Sequence, residues 1–186
     1  GLASRPARGR FAHAGWEDSA VPPDRLGAYL RDFDALLVDH GLSGAPYGHF
    51  GEGCVHIRID FPFGEARGVQ VFREFLLDAA RLVAGYGGSI SGEHGDGRAR
   101  SELLPLMYSP ELLAAFAEVK RVFDPDGLLN PGVLVEPASL SADLRPPSVR
   151  PLRDRLALAF SDDAGDFANA VHRCTGVGKC RADITA

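Results

Sequence analysis

A glycine-rich turn between two short apolar segments constrains the fold of this chain more than any other sequence feature. The segments 47–50 and 54–61 have the length and composition of β-strands, and Gly51-Glu52-Gly53 between them predicts a hairpin turn. With a two-residue loop, His49 lies directly opposite His56. Opposed residues in an antiparallel pair have Cβ atoms roughly 4.5–5.5 Å apart and point to the same face. The sequence therefore predicts two neighbouring imidazoles on one face of a sheet.

Amphipathic segments on both sides of this turn predict helices, because their apolar residues recur at helical spacing. Ser109 is a suitable N-cap for the last of them, and Pro110 suits the first helical position. The predicted helices extend over 24–41, 68–84 and 110–123, and further short strands are predicted at 11–16 and 89–92. This mixture predicts an α+β fold, an antiparallel sheet with helices packed on one face.

Composition argues against several classes of function. A chain of 186 residues can form one domain with a proper core and a short appendage. Its net charge of −5 argues against a nucleic-acid-binding surface or a basic membrane-binding patch. No apolar run approaches the ~18–20 residues needed to span a bilayer. The three cysteines do not suggest a disulfide framework, which favours a reducing compartment and a cytoplasmic location.

A second glycine-rich stretch, at 91–97, places a carboxylate next to an imidazole. His49, His56 and Glu93 form a candidate metal site, because two histidines and one carboxylate leave open positions on zinc, iron or manganese. His94 is then available as a base, because an imidazole can take up a proton in the neutral pH range. Spacing alone leaves a second interpretation open, in which the histidines are packed or hydrogen-bonded and the glutamate is solvated.

Four other residues are weaker candidates for binding. Arg58 lies two positions after His56 and on the same face of that strand, where it could bind a substrate carboxylate or be solvated. Asn130, within a Leu-Asn-Pro-Gly sequence, is a turn residue on sequence grounds. Cys174 and Cys180 give a weak metal signal, because their spacing is wider than the C-x2-C of most zinc or iron–sulfur sites.

Three ordered motifs resemble the C-terminal substrate (cap) domain of FAD-linked oxidases, a group that includes glycolate oxidase subunits, D-lactate dehydrogenases and D-2-hydroxyglutarate dehydrogenases. The motifs are Gly48-His49 with His56, then Ser91-Gly92-Glu93-His94-Gly95, then Phe123-Asp124-Pro125 with Leu129-Asn130-Pro131-Gly132. The resemblance extends from about residue 16 to about residue 135. The tail with Cys174 and Cys180 resembles the start of the ferredoxin-like iron–sulfur domain that is fused to large bacterial members.

The resemblance implies a flavoenzyme that oxidises a D-2-hydroxy acid to the 2-oxo acid. By motif position, His49, His56 and Glu93 would hold a divalent metal, with zinc the expected ion, and the metal would lower the pKa of the substrate hydroxyl. His94 would accept the hydroxyl proton while the Cα hydride passes to flavin N5. Arg58 occupies a position at which relatives have a substrate-contacting side chain.

The resemblance also implies how the chain is organised. Asn130 occupies a position close to the flavin ring, and Cys174 and Cys180 would be the first ligands of a 4Fe-4S domain that passes electrons to an acceptor, which could hold the protein at the inner membrane. The expected layout is a cap domain at 1–137, a proline-containing linker at 138–160 and the truncated start of an iron–sulfur domain at 161–186. We therefore expect a fragment that lacks the FAD-binding lobe and does not turn over alone.

One departure from the family pattern affects the substrate. Many relatives have Gly-Asp-Gly-Asn before the second histidine, whereas this chain has Gly51-Glu52-Gly53-Cys54, which matches the subgroup with a fused iron–sulfur domain better.

Two functions of other classes compete with the flavoenzyme. One is a flavin-independent metalloenzyme, a hydrolase or a non-haem iron oxygenase, that uses the same residues. The other is a non-catalytic binding or structural module whose histidines are merely packed.

Overall fold

A computed structural model describes residues 12–144, 160–163 and 165–172 of the chain. Cys174 and Cys180 lie outside the described residues, as does most of the predicted linker. Within the described residues, no helix has the length and the apolar character that crossing a membrane requires.

Three antiparallel strands form the sheet, with β1 at its edge, β3 in the centre and β2 at the other edge. The strands are β1, His13–Ala20; β2, Gly44–Tyr47; and β3, Cys54–Ile59. The first strand is longer than predicted and ends before Val21-Pro22-Pro23, where proline cannot extend a ladder. The predicted strand at 89–92 is wrong, because Ser89 forms only an isolated bridge with Ala20.

The predicted hairpin exists, but its predicted register is wrong. Tyr47, and not His49, pairs with His56. The connection is a longer loop that contains a 3-10 turn at Phe50–Glu52. The carbonyl of His49 accepts hydrogen bonds from the backbone amides of Glu52 (2.9 Å) and Cys54 (3.2 Å), so His49 belongs to the loop. This loop nevertheless folds back over β3 and returns His49 to the vicinity of His56.

The helices of the described residues are α1, Leu26–Asp39; α2, Gly68–Gly85; α3, Gly97–Arg100; α4, Pro110–Phe123; and α5, Phe167–His172. Of these, α1 and α2 pack in one core with the sheet and cover one of its faces, as predicted. A 3-10 turn at Pro23–Arg25 leads into α1, and Ser109 caps α4 by accepting a hydrogen bond from the amide of Leu112. The chain therefore has the predicted α+β architecture.

Alternation along β3 separates the core from the opposite face of the sheet. Val55, Ile57 and Ile59 are almost completely buried and pack in one cluster with apolar side chains of α1 and α2. Burial of an aliphatic side chain of this size stabilises the fold by about 1.5–3 kcal/mol. The intervening residues, Cys54, His56 and Arg58, project from the other face. A rigid core thus supports three polar side chains on the face without helices.

Candidate functional site

A bulge in β1 builds the floor of the candidate site. Trp16 pairs with Ile57 and Ser19 pairs with Val55, so three steps along β1 match two steps along β3. Trp16 is buried in the core, and the hydroxyl of Ser19 hydrogen-bonds to Tyr29 of α1 at 2.9 Å. The two residues between them, Glu17 and Asp18, therefore both lie beside His56. Bulges of this kind redirect side chains next to functional sites.

Hydrogen bonding selects one tautomer of His56. Its Nδ1 lies 2.5 Å from the carbonyl oxygen of Glu17. A carbonyl can only accept, so Nδ1 carries a proton. Nε2 faces Glu93 Oε1 at 3.1 Å, and in the neutral ring its lone pair would be free to bind a metal. Histidines that bind metals are oriented in the same way, by donating their other ring N–H to a carbonyl or a carboxylate.

One carboxylate oxygen is surrounded by three imidazoles. Glu93 Oε1 lies 3.1 Å from Nε2 of His56, 3.5 Å from Nε2 of His49 and 3.7 Å from Nε2 of His94. The ring of His94 stacks on that of His56, with centroids 5.0 Å apart and an interplanar angle of 3°. The His49 ring meets the same imidazole edge-on at 5.8 Å. The structure thus brings together all four residues of the predicted His–Glu cluster.

The cluster has a buried side and an open side. The His56 side chain is 9% exposed, whereas the side chains of His49, His94 and Glu93 are 56%, 51% and 46% exposed. Half of the cluster therefore faces outward, where a substrate or another part of a larger protein can reach it.

Two separations within the cluster are close to those between the ligands of a divalent metal. Tetrahedral zinc with ligand distances of about 2.0–2.2 Å places its ligand atoms roughly 3.3–3.6 Å from one another. The distances of 3.1 and 3.5 Å from Glu93 Oε1 to His56 and His49 are close to that value. Together with the protonated Nδ1 of His56, this donor set could hold such an ion.

Asp18 is a buried carboxylate that the sequence interpretation missed. It is 0% exposed and accepts hydrogen bonds from the backbone amides of Glu93 and His94 and from the hydroxyl of Ser91. Burial alone would raise the pKa of Asp18, but the hydrogen bonds from His94, Ser91 and Glu93 outweigh it and lower the pKa below its usual value. Asp18 is therefore an anion enclosed by donors.

A second donor set also lies close together, but its chemistry is less suitable. One ligand atom each from Asp18, Cys54, His56 and Glu93 lies within 4.8 Å of the others. The oxygens of Asp18 already accept hydrogen bonds from the protein. Burial of the Cys54 thiol, with the charges of Asp18 and Glu93 nearby, raises its pKa to about 11. Because the Asp18 oxygens are occupied by these donors, we interpret Asp18 and Cys54 as supports of the cluster.

Arg58 lies on the same face as His56, as its position in the strand predicts. Its Nε pairs with Glu17 Oε1 at 3.2 Å, and the side chains of the two residues are 38% and 26% exposed. Glu17 therefore orients two residues, His56 through its backbone carbonyl and Arg58 through its carboxylate.

Asn130 lies in the turn that follows α4. It adopts a left-handed φ of 45° in the exposed turn after α4. Within the described residues, no hydrogen bond or ion pair connects it to the His–Glu cluster. The cysteines at 174 and 180 lie beyond the described part of the chain.

Comparisons with known proteins identify the family. The family model "FAD linked oxidases, C-terminal domain" matches residues 5–134. The D-2-hydroxyglutarate dehydrogenase of Escherichia coli (strain K12) is 38% identical over 128 residues, 69% of this chain and 12% of that protein. The enzyme of the same name from Pseudomonas putida is 37% identical over 165 residues, 88% of this chain and 16% of that protein.

A relative with another name also matches this chain. The D-lactate dehydrogenase of Archaeoglobus fulgidus is 36% identical over 118 residues, 63% of this chain and 26% of that protein. The chain thus spans between 12% and 26% of the length of these three relatives. Because the family model covers most of the chain, the chain belongs to the FAD-linked oxidases, within their C-terminal domain family.

Proposed function

We propose that this chain is the substrate-binding domain of an FAD-dependent oxidoreductase that oxidises a D-2-hydroxy acid to the 2-oxo acid. The single observation that carries the proposal is the carboxylate oxygen of Glu93 with three imidazole nitrogens around it. Relatives named for D-2-hydroxyglutarate and D-lactate supply the substrate class. All of these substrates carry a hydroxyl beside a carboxylate. A divalent metal could bind the hydroxyl, and a cationic side chain could bind the carboxylate.

His49, His56 and Glu93 would hold the metal, with zinc the expected ion. A bound divalent ion would supply Lewis-acid chemistry, which lowers the pKa of the substrate hydroxyl. The bond between Nδ1 of His56 and the Glu17 carbonyl keeps Nε2 available as a ligand. His56 is the rigid member of the set because it is buried, whereas His49 and Glu93 can adjust to the ion from the open side.

His94 would take the proton of the substrate hydroxyl. A neutral imidazole is a suitable base because its ordinary pKa lies close to neutral pH. The parallel stacking of His94 on His56 fixes the plane of its ring, and its half-exposed side chain faces the side from which substrate would arrive. The base and the hydroxyl are thereby held together, which removes an entropic cost from the reaction.

Arg58 would bind the substrate carboxylate. The pair with Glu17 holds its guanidinium by Nε, so the two terminal nitrogens are the donors that would form a bidentate contact. FAD, when bound, would accept the hydride from Cα. Asn130 would approach the flavin ring, a role supported by the exposure of its left-handed turn.

The rest of the enzyme would come from outside this domain. The proposal requires an FAD-binding lobe against the open side of the His–Glu cluster and an iron–sulfur domain that begins with Cys174 and Cys180. Electrons would pass through the 4Fe-4S cluster to an acceptor in the cytoplasm or at the inner membrane. This chain covers only 12% and 16% of the length of two relatives, which is consistent with such a larger protein.

The metal content of the purified chain tests the proposal. We expect near-stoichiometric zinc in the wild-type chain and loss of zinc in His56→Ala. His40→Ala is a matched control, because His40 bonds to Asp78 and packs edge-on against Phe75 and takes no part in the cluster. Equal metal content in wild type and His56→Ala would contradict the metal site.

The flavin part is tested on the whole protein. We expect a yellow protein whose flavin absorbance is bleached by a D-2-hydroxy acid, and no bleaching in His94→Ala. A colourless protein with metal-dependent activity would overturn the flavoenzyme and favour the hydrolase or oxygenase alternative.

A further inference from the structure

Asp18 accepts hydrogen bonds from each residue of the segment 91–94, which carries Glu93 and His94. Its Oδ2 accepts hydrogen bonds from the His94 amide at 2.7 Å, the Ser91 hydroxyl at 2.8 Å and the Glu93 amide at 3.0 Å. Its backbone carbonyl accepts a fourth from the Gly92 amide at 2.6 Å. Four consecutive residues are thus attached to one residue of β1.

We propose that Asp18 is the positioning residue for the Glu93–His94 pair, a role that deepens the proposed function and rests on it. It acts through the backbone and does not itself bind substrate or metal. Its carboxylate sets the direction of two adjacent side chains.

The side chains of Glu93 and His94 have an uncommon arrangement for adjacent residues. Side chains of adjacent residues usually diverge, yet here both converge on His56: Glu93 Oε1 lies 3.1 Å from its Nε2, and the ring of His94 stacks on it at 5.0 Å. Consecutive backbone amides that point into one concavity form an anion-binding nest. The carboxylate of Asp18 fills that nest and holds the backbone in the conformation that lets both side chains converge.

The surroundings of Asp18 require two acceptor oxygens. Its neighbours are donors: two amides, one hydroxyl and the thiol of Cys54, whose Sγ lies 3.7 Å from Oδ1. An amide in place of the carboxylate would direct an NH₂ group at some of these donors and would leave them unsatisfied in a buried site. Hydrogen bonds to a charged acceptor are also about twice as strong as neutral ones.

The surroundings of Gly92 are independent evidence that the segment 91–94 packs closely against Asp18. A Cβ at this position would come within 2.9 Å of Cys54 Sγ, 3.1 Å of Ala20 Cβ and 3.3 Å of Asp18 Oδ1. Glycine permits this close approach of the backbone. A methyl group here would lift the segment away from Asp18 while leaving the carboxylate itself unchanged.

The test compares Asp18→Asn with Asp60→Asn in the 186-residue chain. Asp60 is a matched control, because it is also buried (2% exposed) and also accepts a backbone amide and a hydroxyl, both from Ser43, just beyond the opposite end of β3. Two quantities are measured: the hydrogen-exchange protection of the Glu93 and His94 amides by NMR, and zinc affinity by competition with a chelator.

In Asp18→Asn we expect protection of these two amides to fall at least about tenfold, and zinc affinity to fall about 10–100-fold, as for other outer partners of metal ligands. Asp60→Asn should leave both quantities within about twofold of wild type. Unchanged amides in Asp18→Asn, or equal losses in both variants, would overturn the positioning role.

Two further results separate the possible failures. If the wild-type chain binds no zinc but Asp18→Asn still exposes the Glu93 and His94 amides selectively, the proposed metal site fails and the positioning role stands. If Asp18→Asn does not fold, Gly92→Ala decides: selective loss of the same amides supports the role, and unchanged amides with unchanged zinc affinity overturn it.

Discussion

The His–Glu cluster and the segment 110–134 differ in how their side chains are supported. Beneath the cluster lie buried groups, Asp18, Cys54 and His56, which are 0%, 6% and 7% exposed. The helix α4, by contrast, contains no buried residue. Large apolar side chains there are exposed to solvent: Val119 57%, Val122 65%, Phe123 82%, Leu128 77% and Leu129 64%. The first region is supported by buried groups of this chain, whereas the second leaves large apolar side chains exposed.

The turn that follows α4 in the exposed segment 110–134 is held by hydrogen bonds and an ion pair. Asp124 accepts hydrogen bonds from the amides of Leu128 and Leu129, both at 2.9 Å, and pairs with Lys120. The backbone of the turn is therefore held in place while its apolar side chains project outward. A defined apolar surface of this kind is typical of an interface.

Removing a single charge from the cluster should have the largest effect. In Glu93→Gln the carboxylate oxygen becomes part of a neutral amide, so zinc affinity should fall by more than the ~100-fold typical of changes outside the ligand set. The melting temperature of the metal-free chain should hardly change, because the Glu93 side chain is 46% exposed. Competition with a chelator measures the affinity.

The control for this variant comes from the other region. Glu118 lies on α4, pairs with Arg121 and has a 57% exposed side chain. Glu118→Gln should leave zinc affinity unchanged. Equal affinity in Glu93→Gln and wild type would show that Glu93 is not a ligand.

The buried side of the cluster should also resist alkylation. With a pKa of about 11, Cys54 is almost entirely protonated at pH 8. After allowing for the greater nucleophilicity of a high-pKa thiolate, alkylation should be about 20-fold slower than for an ordinary cysteine. Because the pKa is raised, the rate should increase as the pH rises toward 11. Mass spectrometry after a timed reaction with iodoacetamide measures the rate at this residue.

Urea provides the reference for that measurement. In unfolded chain the thiol loses both burial and its carboxylate neighbours, so Cys54 should react at the ordinary rate. Identical rates in folded and unfolded chain would contradict the enclosed position of Cys54.

Sequence patterns predicted the main elements of the fold but not the floor of the site. The helices α1, α2 and α4 and the antiparallel architecture follow from hydrophobic periodicity and from capping residues such as Ser109. The proximity of His49 and His56 was predicted for an incorrect reason, because the loop and not the strand register brings them together. Local turn chemistry does not specify a register when a longer loop can bring the same side chains together.

Asp18 was missed because the bulge does not appear in the sequence pattern. With strict alternation, Asp18 would share a face with Trp16 and would be read as a strand residue near the core. The extra residue opposite His56 rotates it to the other face, and that rotation depends on pairing with β3, a strand more than 30 positions away. A long-range contact therefore decides its role, and no local signal reports it.

Charging the apolar surface should weaken self-association of the chain. We expect the chain to associate with a second copy through this surface, and Phe123→Glu and Leu128→Glu to weaken the association about tenfold. Substitutions at such exposed positions usually change stability by only about 0.5 kcal/mol. Light scattering over a concentration series measures the association.

Val38→Glu is the control, because Val38 is also largely exposed (67%) but lies on α1 and not in the segment 110–134. It should not change the association. A wild-type chain that stays monomeric at all concentrations would contradict the expected association through the exposed apolar side chains of the segment 110–134.

The smallest effect concerns acid stability of the turn. The pair with Lys120, aided by hydrogen bonds from the Leu129 and Leu128 amides, lowers the pKa of Asp124 below its ordinary value. A carboxylate with a lowered folded pKa stabilises the fold at pH values above its unfolded pKa of about 3.9, and this contribution is lost as the pH falls through the folded pKa. Asp124→Asn should therefore lower the melting temperature slightly at pH 7, and this difference should disappear as the pH falls through the folded pKa of Asp124. Thermal unfolding at a series of pH values measures the difference. A difference that persists unchanged at low pH would assign the role of Asp124 to the geometry of its hydrogen bonds and not to its charge, and the turn would then be held independently of pH.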